Sequence, residues 1–477
     1  MPRPVLAVVY DFGSVSPVDA VERLEPLGDV VLAVVDSPHT ADVAPLLAEL
    51  APLVRVDASG ERGLDAAAAE LRAHAPAAVL TFSERRLDTT AALAARLGLP
   101  GHTPGTVRLL TDKHAQRRRL AERGVDRVRT RLLRSPADWA AAVAAVGLPA
   151  VLKPVRGEGS RSTHLVHDAA AGAALAHRLL ATAPDQGGED GLVLEEYLAG
   201  TGREPFGDHV SVESAVVGGR VSHWAVTGKF PLAPPFREVG HYWPAPLTAD
   251  ERVAVLDLAA RAVRALDLHT GITHTELKLT PQGPRVIEVN GRLGGFQSGL
   301  GLLGGGPDPI ELAGRVALGE DPFGADPGPG APAHDATAAW MPQDRVVYVR
   351  AVPTPADGGL LTKVHGIGDV LGLPGVRSYD SRVRPGTRVP PGVRTGELAV
   401  LWGTAGSHAE MVAVLDRALT ALSYTFDDPD PGPGPDPDPD DGAAGQRTLR
   451  ARDLDARPAA TGFPGGRPPA GSPLHRP

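Results

Sequence analysis

Across the first hundred residues, short runs rich in valine and other apolar residues alternate with alanine-rich segments. This alternation constrains the fold more than any other feature. Residues Val5–Tyr10, 30–35, Leu53–Val56 and 78–82 read as buried strands, and residues 46–50, 66–75 and 91–97 have helical composition. Apolar strands that alternate with helices imply a parallel, doubly wound sheet covered on both faces. Ligands of such sheets sit beyond the carboxyl ends of the strands, which singles out residues 11–14 together with Ser83 and Glu84. Glu84, directly after a strand, is either a ligand contact or an acid placed favourably at a helix N-terminus.

The 477 residues suffice for about three domains. There is no cysteine, which excludes disulfide scaffolds, thiolate metal sites and a cysteine nucleophile. A net charge of −9 argues against a nucleic-acid partner or a polybasic membrane binder. The apolar run at the start is too short for a signal segment, and no stretch approaches the ~18 apolar residues of a membrane span. A cytoplasmic chain is therefore expected. Residues 427–441 hold seven Asp and six Pro, and a Gly/Pro/Arg-rich stretch follows. Such a tail buries too little apolar surface to offset its ordering entropy, so disorder is predicted from 426 to 477.

Between these ends, a helix is predicted from Thr111 or Asp112 through Lys113 to Arg123, stopped by Gly124. Residues 148–153 read as a strand entering the loop 157–163, which contains Gly159 and Ser160, and 192–198 as another strand. Residues 210–217 and 221–226 form a hairpin across Gly218-Gly219. A Pro-rich loop (230–246), two helices (249–266 and 308–319), a Gly/Pro linker (323–332) and a further globular unit (335–425) complete the body.

The segment from Thr273 to Arg292 is the most informative. It reads as a β-hairpin around Pro281-Gln282-Gly283. If Thr280 pairs with Pro284, Glu276 faces Glu288 and His274 faces Asn290. Alternation then puts Glu276, Glu288, Asn290 and Arg292 on one face, and Leu277, Leu279, Ile287 and Val289 on the other. Two carboxylates at ~5 Å repel by about 3 kcal/mol at an effective dielectric near 20. A divalent cation held by oxygen ligands would offset this, with Asn290 completing the set. A solvated polar face balanced by Lys278 and Arg292 would do so as well. Lys153, ending a strand before the Gly/Ser loop, fits phosphate binding or an ordinary surface turn; no Walker A motif occurs.

In order along the chain, Asp112-Lys113, Lys153-Pro154 with its loop, Val193-Leu194-Glu195-Glu196-Tyr197-Leu198, Glu276, and Glu288-Val289-Asn290-Gly291-Arg292 resemble the ATP-grasp superfamily. The resemblance implies a doubly wound domain at 1–105, an ATP-grasp lid subdomain at 106–198, a central catalytic subdomain at 199–330 and a C-terminal α+β subdomain at 331–425. It implies that Lys113 and Lys153 contact nucleotide phosphates under a flap containing Gly159 and Ser160. Glu195, Tyr197 and Leu198 would form the adenine hinge, largely through backbone groups. Glu276 and Glu288, assisted by Asn290, would hold Mg2+ (Mn2+ as the alternative) for ATP. Arg292 would stabilise the transferring phosphoryl group. Asp208 and His209 stand where the family usually carries a ribose-binding Glu, so either of them is a candidate for that contact.

Val226-Thr227-Gly228-Lys229-Phe230 followed by Phe236 to His241 resembles the carboxylate–amine ligase branch, which includes L-amino acid ligases. In that branch Glu238, His241 and Glu84 would line the substrate, and Gly294-Gly295 would wrap the acyl group. Glu238 and His241 could instead pair simply to order the Pro-rich loop. The implied activity converts a carboxylate to an acyl phosphate and joins it to an amine, with ADP and phosphate released. A biotin-carboxylase-type reaction and a non-catalytic ATP-binding module are the alternatives. A homodimer is expected.

Overall fold

In the computed structural model, which describes residues 2–182, 188–324, 333–342, 344–391, 396–427 and 446–455, the N-terminal alternation becomes a parallel sheet. Strands β1 (Val5–Tyr10), β2 (Asp29–Val35), β3 (Leu53–Val56) and β4 (Ala78–Leu80) run in the order β3-β2-β1-β4. Strand β1 sends Leu6, Val8 and Tyr10 into one core and Ala7 and Val9 into another, which is why it is apolar throughout. The strand order reverses between β1 and β4, so Asp11 and Glu84 emerge at a topological switch point.

Strands β5 (Thr130–Leu133), β6 (Ala150–Pro154), β7 (His164–Val166) and β8 (Leu192–Glu196) form an antiparallel sheet in the order β5-β8-β6-β7. The helix Lys113–Glu122 precedes it, capped by Asp112, whose carboxylate accepts from the Ala115 amide at 2.9 Å. Gly124, at φ +67°, ends it.

A nine-stranded sheet carries the rest of the centre. Its strands are β9 (His209–Val217), β10 (Arg220–Lys229), β11 (Gly240–Trp243), β12 (Gly271–Thr280) and β13 (Gly283–Asn290), then Val346–Pro353, Glu397–Ala405 and Val376–Ser381. The order is β13-β12-β9-β10-β11 followed by those three, with His334–Asp335 beside β10, so the sheet is continuous across residue 330. β9 and β10 turn through Gly218 and Gly219, both at positive φ, as the two-residue hairpin requires.

Three expectations change. The stretch 230–246, read as loop, contains β11, whose four residues are all buried between β10 and Val346–Pro353. In the β12–β13 hairpin Glu276 does face Glu288 and His274 does face Asn290, but a bulge follows. Leu277 therefore faces Val286 rather than Ile287, and Val286 is buried while Ile287 is only half-buried. Finally, the region expected to be disordered from 426 onward contributes structure. Gln446–Arg450 pairs with Ser423–Asp427, and Ala451, at the start of a short 3-10 segment, is buried in the C-terminal core. The linker residues 325–332 and the tail residues 428–445 and 456–477 lie outside the described residues.

Candidate active site

Register alone builds a polar patch across four adjacent strands. Thr227 on β10 faces Ser211 on β9, Ser211 faces Glu276 on β12, and Glu276 faces Glu288 on β13. In the next row Glu213 faces His274, which faces Asn290. Positions two apart on a strand share a face, so both rows project together.

Lys113 reaches this patch from its helix: its Nζ lies 2.7 Å from Glu288 Oε1 and donates to the Gly157 carbonyl at 2.8 Å. Burial disfavours its charge, but the Glu288 carboxylate outweighs that and raises its pKa. The Gln116 side chain, one turn on, accepts from the Val289 amide at 2.8 Å and donates to its carbonyl at 2.9 Å, pinning β13. On the other side of the patch, His274 Nδ1 lies 2.9 Å from both oxygens of fully buried Glu213, and its Nε2 lies 3.4 Å from Glu276. Burial alone would neutralise this imidazole, yet Glu213 raises its pKa to about 9. Glu276 is held at about 2, its burial overcome by the bond from His274.

Arg292, just past β13, lies 3.3 Å from Glu84. Both carboxyl oxygens of Glu84 are buried without a hydrogen-bond partner, and burial raises its pKa to about 7 despite the guanidinium. The folded state thus keeps this proton up to about pH 7, while an unfolded Glu releases it near 4.5. Over that window the native state binds more protons, so stability falls as pH rises. Chemical denaturation of the free protein from pH 4.5 to 7 should show Glu84→Gln removing part of that fall; an unchanged slope would contradict the burial of this carboxyl.

A third cluster gathers at β10 and β11. Lys229 Nζ donates to Glu238 at 2.8 Å and lies 3.1 Å from His241 Nε2, which is 3.2 Å from Glu238. His209 Nε2 lies 3.8 Å from Glu238. Asp208 is engaged by Lys278 at 2.6 Å. Burial and the neighbouring Lys229 lower the His241 pKa; Glu238 is held well below the usual carboxylate range, the effect of burial overcome by Lys229 and His241.

Lys153 stands one residue before the end of β6, with its Nζ 2.9 Å from Glu195. Arg117 binds the same carboxylate through two nitrogens at 3.0 and 2.9 Å. Burial opposes ionisation of Glu195, but the two cations hold it at about 2; burial lowers Lys153. The carboxylate of Glu195 is thus taken up in aiming Lys153. Arg117→Met should destabilise the fold by about 3 to 5 kcal/mol, since one partner of a buried pair is removed. Urea unfolding reads this, and a loss under about 1 kcal/mol would contradict it.

Of the other sequence candidates, Tyr197 and Leu198 follow the end of β8, and the Tyr197 amide donates to the Pro149 carbonyl at 3.3 Å. Gly159 and Ser160 both have positive φ, in a loop tied down by Glu158 to Arg85 at 2.8 Å. A Cβ on Gly294 would meet the His274 ring at 2.4 Å, whereas one on Gly295 would meet nothing. Glu213, Lys229 and Arg117 were not singled out from sequence. Lys229 lay inside the motif quoted for the substrate branch; the other two depend on partners 61 and 78 residues away.

Among the described residues no three His, Asp or Glu side chains form a ready cation cage. Two opposed carboxylates and an amide still suit Mg2+, which commonly takes one or two carboxylates and completes its shell with phosphate oxygens and water.

No family model matches the chain. It is 30% identical over 430 residues to an uncharacterised protein, y4rH, of Sinorhizobium fredii, covering 86% of this chain and 80% of that protein. It is 35% identical over 263 residues to carnosine synthase 1 of Gallus gallus, covering 52% of this chain and 28% of that one. The fold matches the crystal structure of L-amino acid ligase from Bacillus licheniformis with a TM-score of 0.68 and 22% identity, over 88% of this chain and 98% of that one. The chain belongs to the same family as y4rH, and it shares the fold of the L-amino acid ligase structure. A parallel N-terminal sheet and antiparallel sheets follow one another along the chain, as in that structure. The chain spans little more than a quarter of the length of carnosine synthase 1. No helix among the described residues is long and apolar enough to cross a membrane.

Proposed function

We propose that this protein is an ATP-dependent ligase that activates a small carboxylate as an acyl phosphate and joins it to an amine, with amino-acid-type substrates on both sides. The observation that carries this reading is the proximity of two chemistries on one hairpin. The Glu276–Glu288 pair with Lys113 suits metal-bound phosphates, and the Arg292–Glu84 pair next to it suits a substrate. Beyond its ion pair with Arg292, the Glu84 carboxyl accepts no hydrogen bond, and a substrate ammonium would supply one.

ATP is the phosphoryl donor, and the domain boundaries implied by the family resemblance belong to the same reading. Glu276, Glu288 and Asn290 would hold Mg2+ or Mn2+, which when bound supplies charge neutralisation at the β- and γ-phosphates. Lys113 and Lys153 orient the phosphates beneath the loop with Gly159 and Ser160; Glu195 aims Lys153, and Tyr197 and Leu198 receive the adenine. A carboxylate oxygen attacks the γ-phosphorus, the bond to the bridging oxygen breaks, and ADP leaves. Arg292 donates to the transferring group, where its planar fork matches phosphoryl oxygens. Gly294 and Gly295 leave room for the acyl group. An amine nitrogen then attacks the acyl carbon and expels phosphate. His241 takes the amine proton: its depressed pKa keeps it neutral near pH 7 and its Nδ1 has no partner. Glu238 stays ionised beside Lys229 and orients the ammonium, with His209 next to it.

A phosphate-release screen over paired amino acids and small carboxylates, with mass detection of products, tests the reading. Release should require both partners and give a product equal to their sum less water. Release dependent on bicarbonate alone, or ATP binding without turnover for any pair, would overturn it. A cytoplasmic homodimer belongs to the same proposal, and light scattering of the purified chain tests the dimer.

A further inference from the structure

The buried Glu213–His274 pair takes no part in the steps above, yet it touches both halves of the site. Glu213 Oε1 accepts from Ser211 Oγ at 2.8 Å and Thr227 Oγ1 at 3.1 Å, and both its oxygens face His274 Nδ1. Thr227 Oγ1 in turn accepts from Trp243 Nε1 at 2.9 Å. Glu213, Ser211 and Thr227 are completely buried, so the carboxylate is fixed from three strands at once. That fixed carboxylate holds the imidazole, whose opposite edge is aimed at Glu276. The same ring lies so close to Gly294 that a methyl group there would collide with it.

Apolar side chains of similar volume would fill this space without the desolvation cost of a buried ionic pair. What the pair supplies instead is direction. A carboxylate that must hold a cation while facing a second carboxylate gains from a neighbour that fixes its orientation, and such outer partners set affinity. We propose that Glu213 and His274 are positioning residues: through His274, Glu213 sets the orientation of Glu276 and of the Gly294 turn together, so that metal affinity and acyl-substrate binding share one support. This inference rests on the assignment of Glu276 as a metal ligand.

The test measures Mn2+ affinity in the presence of ADP by electron paramagnetic resonance on the full-length protein. Wild type is compared with His274→Gln, Glu213→Gln and, as the control for the underlying assignment, Glu276→Gln. Both positioning variants should weaken Mn2+ binding about 10- to 100-fold. Metal-free ADP affinity should stay within about twofold of wild type, a split that a general loss of structure would not give. If Glu276→Gln binds Mn2+ like wild type, the metal assignment fails. If Glu276→Gln is impaired while both positioning variants bind Mn2+ within twofold of wild type, the positioning inference fails. Should either not fold, Ser211→Ala, which removes one hydroxyl donor to Glu213, should give a smaller loss in the same direction; unchanged affinity overturns the inference.

Discussion

Glu288→Ala should reduce carboxylate-dependent ADP release by about a thousandfold or more, the scale of losing a metal-held phosphoryl clamp. Two effects combine at this residue. The carboxylate opposite Glu276 disappears, and with it half of the charge that would hold a divalent cation. Lys113 also loses its 2.7 Å partner and keeps only the Gly157 carbonyl, so its ammonium is no longer directed along β13. The fold should survive, because Glu288 is only partly buried and its strand is pinned independently by Gln116. A coupled assay for ADP reads the loss. Turnover above about a tenth of wild type would remove Glu288 from the phosphate chemistry.

Arg292→Lys should cost about a hundredfold in kcat while leaving the KM for ATP within a fewfold range. Charge is conserved in this substitution, so a simple electrostatic role predicts little change. What is lost is the planar fork, which donates to two oxygens of a developing phosphoryl or acyl-phosphate group at once. Glu84 loses its guanidinium neighbour too, and an ammonium on a shorter stem cannot hold the same position against it. A rise in the KM for ATP with unchanged kcat would assign Arg292 to ground-state nucleotide binding instead.

Local periodicity made parts of this site legible and geometry hid the rest. The hairpin register at Glu276 and Glu288 followed from alternation and a turn, because both strands lie in one short segment. The bulge beside it was not foreseeable: Val286 and Ile287 are both β-branched, and packing decided which of them is buried. β11 was hidden because its four residues stand in a proline-rich stretch with no alternation, and burial on both faces leaves none to see. Glu213 escaped notice for a different reason. Its partner His274 is reached only when β9 pairs with β12, across two intervening strands and a helix. Arg117 looked like one more cation on a basic helix, whereas the fold buries it against Glu195. Likewise, Gln446–Arg450 forms a strand because Ser423–Asp427 offers it an edge, although the acidic, proline-rich stretch before it carries no such signal.

In the proposed reaction a carboxylate becomes an acyl phosphate before an amine displaces the phosphate. The most direct measurement uses a substrate pair found in the phosphate-release screen, with both carboxylate oxygens of the acyl donor replaced by 18O. If the carboxylate attacks the γ-phosphorus, one 18O leaves with the inorganic phosphate and the other stays in the amide, which mass spectrometry of both products reads. Phosphate containing one 18O per amide formed is the predicted result. Unlabelled phosphate would contradict the account.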